Sequence, residues 1–236
     1  MSLIAHIEEL RWTLIRCVCA VIICAIPAGI FWRRIFEFIA VWPLHLSETA
    51  PRIIYTAPAE AVILIFKIAI TCGLLIASPF IFFQIWRFVA PGLYKKEKSV
   101  IVPVVIASTF CFLSGIVFCY YLLPIFLKFL TGFAAGHIDP FFRINEYFGF
   151  LIKMCLAFGL AFELPVITFV LSKMGVIDHR FMIRYFRYAI VLIFIAAAIV
   201  TPTIDMISQS LLAVPIIALY ALSIIIAYFT SQKEKG

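Results

Sequence analysis

Charged residues are scarce in this sequence. Only 13% of its 236 residues are Asp, Glu, Lys or Arg, whereas 65% are hydrophobic. An average soluble domain carries about 25% charged residues, so this composition excludes an ordinary soluble protein. It is typical of an integral membrane protein, in which most side chains face lipid or another apolar helix.

The sequence also lacks the patterns that mark catalytic and metal sites. It contains no phosphate-binding glycine loop, nucleophile elbow or zinc-binding helix motif. The four histidines show no ligand spacing, and all seven cysteines lie inside apolar runs, where cysteine behaves as a small hydrophobic residue. We therefore predict that the protein is not an enzyme and binds no cofactor or metal ion.

Long apolar runs predict an all-α integral membrane protein. About 20 apolar residues are needed to cross a hydrocarbon core of roughly 30 Å as a helix. Six stretches qualify when the fifth is extended backwards over two snorkelling arginines: 14–31, 61–83, 100–123, 148–170, 181–200 and 209–229. Prolines inside or beside these spans predict a curved bundle within one polytopic membrane domain, 1–236.

The distribution of Lys and Arg predicts the orientation. Twelve lie on the side that holds both termini and the loops after the second and fourth spans, and five lie on the opposite side. The positive-inside rule therefore predicts cytosolic termini and a multi-pass protein of the cell inner membrane. We attribute the net charge of +7 to contact with membrane lipid rather than nucleic acid.

A segment between the second and third spans, FQIWRFVAPGLYKKEKS at 83–99, combines aromatic rings, cations and one carboxylate. Phe88 and Tyr94 flank a Pro-Gly turn, and Glu97 follows. An aromatic belt would explain the rings, and a helix N-terminus would explain the acid. Aromatic faces beside carboxylates also suit arginine, so this segment is a candidate peptide-binding site on the cytosolic face.

The N-terminal residues predict an amphipathic surface helix that leads into the first span. On it, Glu8 and Arg11 are three residues apart and can form an ion pair. Glu9 lies on another face, where Arg16 is the only arginine, about 10 Å away along the helix axis. Glu9 is therefore either a solvated surface acid or a site for an incoming guanidinium.

Glu163 is an acidic residue within the fourth span. Placing an ionisable group at this depth costs about 2.5 to 3.5 kcal/mol, so Glu163 is either a functional residue or a structural acid that is protonated or paired with a neighbouring helix. Lys153 is about 15 Å away along the same helix and cannot pair with it there. A small-solute or ion transporter that uses Glu163 and Lys153 is an alternative, although no internal repeat is visible.

Several motifs, in order along the chain, resemble those of the TatC family, the polytopic core of the twin-arginine protein translocase. They are EELR at 8–11, SP at 78–79, QIWRFVAPGLYKKEK at 84–98, FGLAFELPV at 158–166 and TPTIDMISQSLLAVP at 201–215. The resemblance runs from about residue 4 to residue 228. It rests on the combination of motifs.

The resemblance implies a cup-shaped bundle of six helices that binds twin-arginine signal peptides at its cytosolic face. It also implies export of folded proteins driven by the proton-motive force, with TatA/TatB-type single-span subunits and as a homo-oligomer within a larger complex. By motif, the implied signal-peptide residues are Glu9, Arg11, Phe88, Tyr94 and Glu97. The implied intramembrane acid is Glu163, facing the concave groove, and the implied contacts to partner helices are Thr201 and Gln209.

Two positions depart from the family pattern. Family members often carry an arginine at the position of Thr13 and an acid at the position of Ala221. Glu9 consequently lacks the counter-ion that such an arginine would supply. Contacts made by an acid in the last span cannot be carried over to this chain.

Overall fold

The computed structural model describes residues 3–41, 52–89, 101–132, 141–201 and 205–233. These residues are almost entirely helical, with two short strands. The helices are α1 Leu3–Ile30, α2 Trp32–Phe36, a π-helical segment Glu37–Val41, α3 Pro58–Val89, α4 Ile101–Gly132, α5 Ile144–Ala161, α6 Leu164–Lys173, α7 His179–Arg184, α8 Phe186–Val200 and α9 Met206–Lys233. The strands are β1 Arg52–Ile54 and β2 Phe141–Arg143.

Among the residues that the structure describes, five helical stretches are long and apolar enough to cross a membrane, namely His6–Ile30, Pro58–Val89, Ile101–Gly132, Ile144–Lys173 and Met206–Thr230. A shorter apolar helix, Phe186–Val200, corresponds to the fifth predicted span. The predicted all-α membrane class is thus confirmed. The predicted surface helix and first span form one continuous helix, because nothing between them interrupts the backbone hydrogen bonds.

The fourth and fifth spans differ in detail from the sequence prediction. The helix predicted over 148–170 is interrupted between Ala161 and Leu164. Pro165 has no N–H to donate to the carbonyl of Ala161, four residues earlier, so the helix is broken there. The helix predicted over 181–200 begins only at Phe186, because α7 ends at Arg184 and Tyr185 leaves helical geometry.

The described chain forms two compact units. The first contains the described parts of 1–45, 52–110 and 141–148, and the second contains those of 111–140 and 149–236. In the first unit α1 packs against α3. A Cβ added to Gly73 would lie 2.7 Å from the carbonyl oxygen of Val21, so the absence of a side chain permits this close approach.

The first unit also contains a polar cluster at the start of α3. β1 pairs in parallel with β2, which places Ile54 opposite Arg143. The Glu60 carboxylate, whose residue is only 5% exposed, accepts hydrogen bonds from the Thr56 N–H at 3.0 Å, the Thr56 hydroxyl at 2.9 Å and the Arg143 guanidinium at 2.9 Å. Hydrogen bonding to Glu60 and the charge of Glu146 raise the pKa of Arg143, so its guanidinium remains charged. The cluster therefore joins the two segments that carry the strands.

In the second unit, α9 packs against α6, α7 and α8. The Tyr220 hydroxyl donates to the carbonyl of Met182 at 3.2 Å, and the Ser172 hydroxyl donates to that of Ala227 at 3.4 Å. Between α4 and α5, the ring of Phe118 lies edge-on to that of Phe158 at 5.4 Å. These contacts build a core whose largest fully buried side chains include Phe126 and Phe158.

Gly115→Ala is expected to destabilise the second unit. The added Cβ would lie 2.6 Å from the carbonyl oxygen of Phe158, a backbone atom that cannot rotate away. Overpacking of this kind costs about 1 to 3 kcal/mol, which should lower the melting temperature of the detergent-solubilised protein. Gly132→Ala on the same helix is the control, because no atom of another described element lies within 4 Å of its added Cβ. Equal melting temperatures for the two variants would contradict this account of the α4–α5 packing.

Candidate functional site

The first candidate site lies where the beginning of α1 meets the end of α3. The rings of His6 and Phe88 stack with centroids 4.4 Å apart and planes inclined by 14°. Phe88 is half-buried and His6 is exposed. Glu9 follows His6 by three residues and therefore lies on the same face, one turn further along α1. The structure thus places Glu9 one helical turn from the His6 ring that stacks on Phe88, and the joint role predicted for Glu9 and Phe88 stays a prediction.

The charges around this site leave the Glu9 carboxylate available. Arg11 pairs with Glu8 at 3.9 Å, which confirms the predicted ion pair, and its guanidinium also lies 5.6 Å from the centre of the Trp12 ring. Glu9 is half-buried and forms no ion pair with any residue that the structure describes. A carboxylate in this state can accept two parallel hydrogen bonds from a guanidinium.

A buried hydrogen bond fixes the helix ends that flank this site. The indole N–H of Trp86 donates to the hydroxyl of Ser108 at 2.9 Å, and both residues are buried. This bond ties the last turns of α3 to α4 and thereby helps to fix the position of Phe88, two residues further on. Tyr94 and Glu97 lie outside the described residues, so their predicted roles remain predictions.

The second candidate site is Glu163, at the break between α5 and α6. Its residue is 4% exposed and occupies the position immediately before α6. Its N–H donates to the carbonyl of Leu160 at 3.1 Å, which tightens the turn, and its own carbonyl accepts from Ile167 at 2.9 Å. Cys111 of α4 lies close enough to interact electrostatically with the Glu163 carboxyl group. An acidic group is therefore held inside the apolar span at a defined irregularity of the backbone.

Thr201 and Gln209 lie on either side of the short connection between α8 and α9. The Thr201 hydroxyl donates to the carbonyl of Ala197 at 2.9 Å, and Thr201 ends α8. The Asp205 carboxylate accepts the N–H of Ser208 at 2.7 Å and so caps α9, while Gln209 lies half-buried in its first turn. Their predicted contact with partner helices stays a prediction.

Sequence reasoning missed two parts of the first site. It did not predict the stack of His6 on Phe88, and it did not assign Trp86 a partner. The available signal was the aromatic content of the segment around Phe88.

Within the parts of the chain that the structure describes, no group of three or more His, Cys, Asp or Glu residues could hold a metal ion.

Comparison with known proteins gives consistent matches. Residues 5–215 match the family described as TatC, Sec-independent protein translocase protein. The protein of that name from Helicobacter pylori strain J99 is 38% identical over 98% of this chain and 90% of its own length. The protein of that name from Aquifex aeolicus is 35% identical over 100% of this chain and 98% of its own length. A crystal structure of a protein described as the twin arginine translocase receptor TatC superposes with a TM-score of 0.87 at 36% identity, covering 96% of this chain and 99% of that one.

Proposed function

The chain belongs to the TatC family of Sec-independent protein translocase proteins, and on that premise we propose that it is the signal-peptide-binding core of a twin-arginine translocation system. It is a multi-pass membrane protein whose relatives are named as translocase proteins, and we propose that it acts in transport and is not an enzyme. Beyond the family assignment, we propose a ligand, a binding site, partner subunits and an energy source for this chain. The protein in the similar crystal structure is described as a receptor, which supports the choice of ligand.

The observation that supports the proposal is the stack of His6 on Phe88, one helical turn from Glu9. Arg11 is already paired with Glu8, so it does not neutralise Glu9. A guanidinium that approaches this face meets a carboxylate and the His6–Phe88 ring pair within one helical turn. It can form charge-assisted hydrogen bonds with the carboxylate and stack on an aromatic face. Glu97 and Tyr94 complete the proposed site.

Transport requires more than docking. We propose that TatA/TatB-type single-span subunits join the complex, that the proton-motive force drives export, and that the termini face the cytosol from the inner membrane. The 15 residues of α8 extend about 22 Å, less than the roughly 30 Å of a hydrocarbon core. The bilayer is expected to thin there, which makes Thr201 and Gln209 a suitable meeting point for partner helices.

One observation favours the alternative of a small-solute or ion transporter. Such transporters form their sites at interrupted membrane helices, and Glu163 lies at an interruption between α5 and α6. Lys153, the other residue of that hypothesis, is exposed on α5. The family assignment supports protein translocation instead.

Binding of a twin-arginine signal peptide to the detergent-solubilised protein tests the proposed function. A peptide in which both arginines are replaced by lysine is the control, since lysine lacks the planar fork that engages a carboxylate through two bonds. The arginine peptide is expected to bind at least about tenfold more tightly, equivalent to about 1.4 kcal/mol. Equal binding of both peptides, or of neither, would refute the receptor role. Solute flux into proteoliposomes would then test the alternative.

A further inference from the structure

A groove of about 380 Å³ lies on the surface of the first unit, between α3 and the segment that follows α1. Its walls are apolar side chains, among them Phe38 on the π-helical segment and Cys72 and Ile76 on α3, together with Arg34. Phe38 and Ile76 are 67% and 60% exposed. Among the described residues the groove is therefore open on the surface of the unit, and the one ionisable side chain that borders it is Arg34, through its hydrocarbon stem.

The position of the groove along α3 places it at the depth of lipid acyl chains. Lys67 and Arg87 bound the apolar part of α3 and are about 30 Å apart along its axis, which matches a hydrocarbon core. Cys72 and Ile76 lie about 8 and 14 Å from Lys67 along that axis. The groove thus occupies the half of the bilayer that is farther from the N-terminus.

Arg34 supplies the charge at this groove. It is exposed, and it forms no ion pair with any described residue, including Glu37, the exposed acid three residues later on the same segment. Arg33 lies with its guanidinium 5.6 Å from the centre of the Trp32 ring. Tryptophan and arginine together are typical of the headgroup region, and the hydrocarbon stem of Arg34 lets its guanidinium reach that region from the groove.

We propose that this groove binds one anionic phospholipid, with an acyl chain along Cys72, Ile76 and Phe38 and the phosphate on Arg34. Guanidinium and phosphate form a charge-assisted, bidentate pair, and the two adjacent arginines favour a headgroup with net negative charge. A transmembrane helix is a poor fit, because a rod about 10 Å wide would fill 380 Å³ with only about one turn. The bound lipid would fill the space between α3 and the segment after α1. This inference does not depend on the proposed signal-peptide site.

Native mass spectrometry of the full-length protein in detergent, with added phosphatidylglycerol or phosphatidylcholine, tests the proposal. The unmodified protein is expected to retain one phosphatidylglycerol in preference to phosphatidylcholine. Arg34→Gln should weaken that binding about fivefold, which corresponds to the roughly 1 kcal/mol that one basic residue contributes near a membrane surface. Ile76→Trp should remove the bound lipid whatever its headgroup, because the indole would occupy the groove.

Arg33→Gln is the matched control, because it removes the same charge from a neighbouring residue that does not line the groove. It is expected to weaken binding less than Arg34→Gln. If both arginine variants weakened phosphatidylglycerol binding equally, general surface electrostatics would explain the binding, and the proposal would be overturned. Unchanged lipid retention in Ile76→Trp would overturn it as well. If Ile76→Trp instead lost a co-purified single-span subunit and kept its lipid, the groove would be identified as a binding site for a transmembrane helix.

Discussion

Replacing Glu9 and Glu97 together by alanine is expected to abolish capture of a twin-arginine peptide in a cross-linking assay. Each carboxylate is proposed to accept hydrogen bonds from a guanidinium, and a hydrogen bond to a charged group contributes about 1.5 to 3 kcal/mol. Loss of both should therefore weaken binding by at least about a hundredfold, since every 1.4 kcal/mol is a factor of ten. The single variants should show intermediate losses.

Glu8→Ala provides the matched control for this prediction. Glu8 is adjacent to Glu9 and carries the same charge, but its carboxylate already pairs with Arg11 at 3.9 Å. If the geometry of Glu9 matters rather than the local negative charge, Glu8→Ala should leave peptide capture nearly unchanged. Undiminished capture by the double variant would defeat the docking hypothesis, and an equal loss in Glu8→Ala would show that only the net charge counts.

The sequence allowed the membrane spans to be predicted because a hydrocarbon environment imposes long apolar helices. The helix ends were less predictable. α3 and α4 continue for several residues beyond their apolar stretches, since backbone hydrogen bonding does not stop where hydrophobicity does. The break at Glu163 lies beside Pro165, but a proline alone did not predict it, because Pro79 and Pro215 lie inside unbroken helices.

Contacts between residues that lie far apart along the chain could not be predicted from the amino-acid sequence. Glu9 and Phe88 were assigned to one site by motif resemblance, and helical periodicity alone could not have brought them together. The His6–Phe88 stack and the Trp86–Ser108 bond depend on how α1, α3 and α4 pack. Glu60 is another example. Its local sequence pattern predicts an ordinary acid in the first turn of a helix, whereas in the structure its carboxylate accepts a hydrogen bond from Arg143 of another segment.

Glu163→Gln is expected to lower export of a twin-arginine reporter protein by at least about tenfold in a strain that lacks its own TatC. Glutamine keeps nearly the same shape and can still form hydrogen bonds, but it cannot ionise or exchange a proton. The variant should fold normally, because a neutral amide is easier to bury than a carboxylate at a residue that is 4% exposed. Export by the variant, its melting temperature and its binding of the signal peptide would be measured together.

Glu163→Asp separates the two roles that a buried acid can have. If the carboxyl group is used for proton-linked transport, the aspartate variant should recover part of the export that the glutamine variant loses, even though its side chain is shorter. If Glu163 acts only as a polar contact at the break between α5 and α6, glutamine should substitute better than aspartate because it preserves the reach of the side chain. Wild-type export by Glu163→Gln would remove Glu163 from the transport mechanism. A lowered melting temperature in that variant would point to a structural role for the carboxylate at the start of α6.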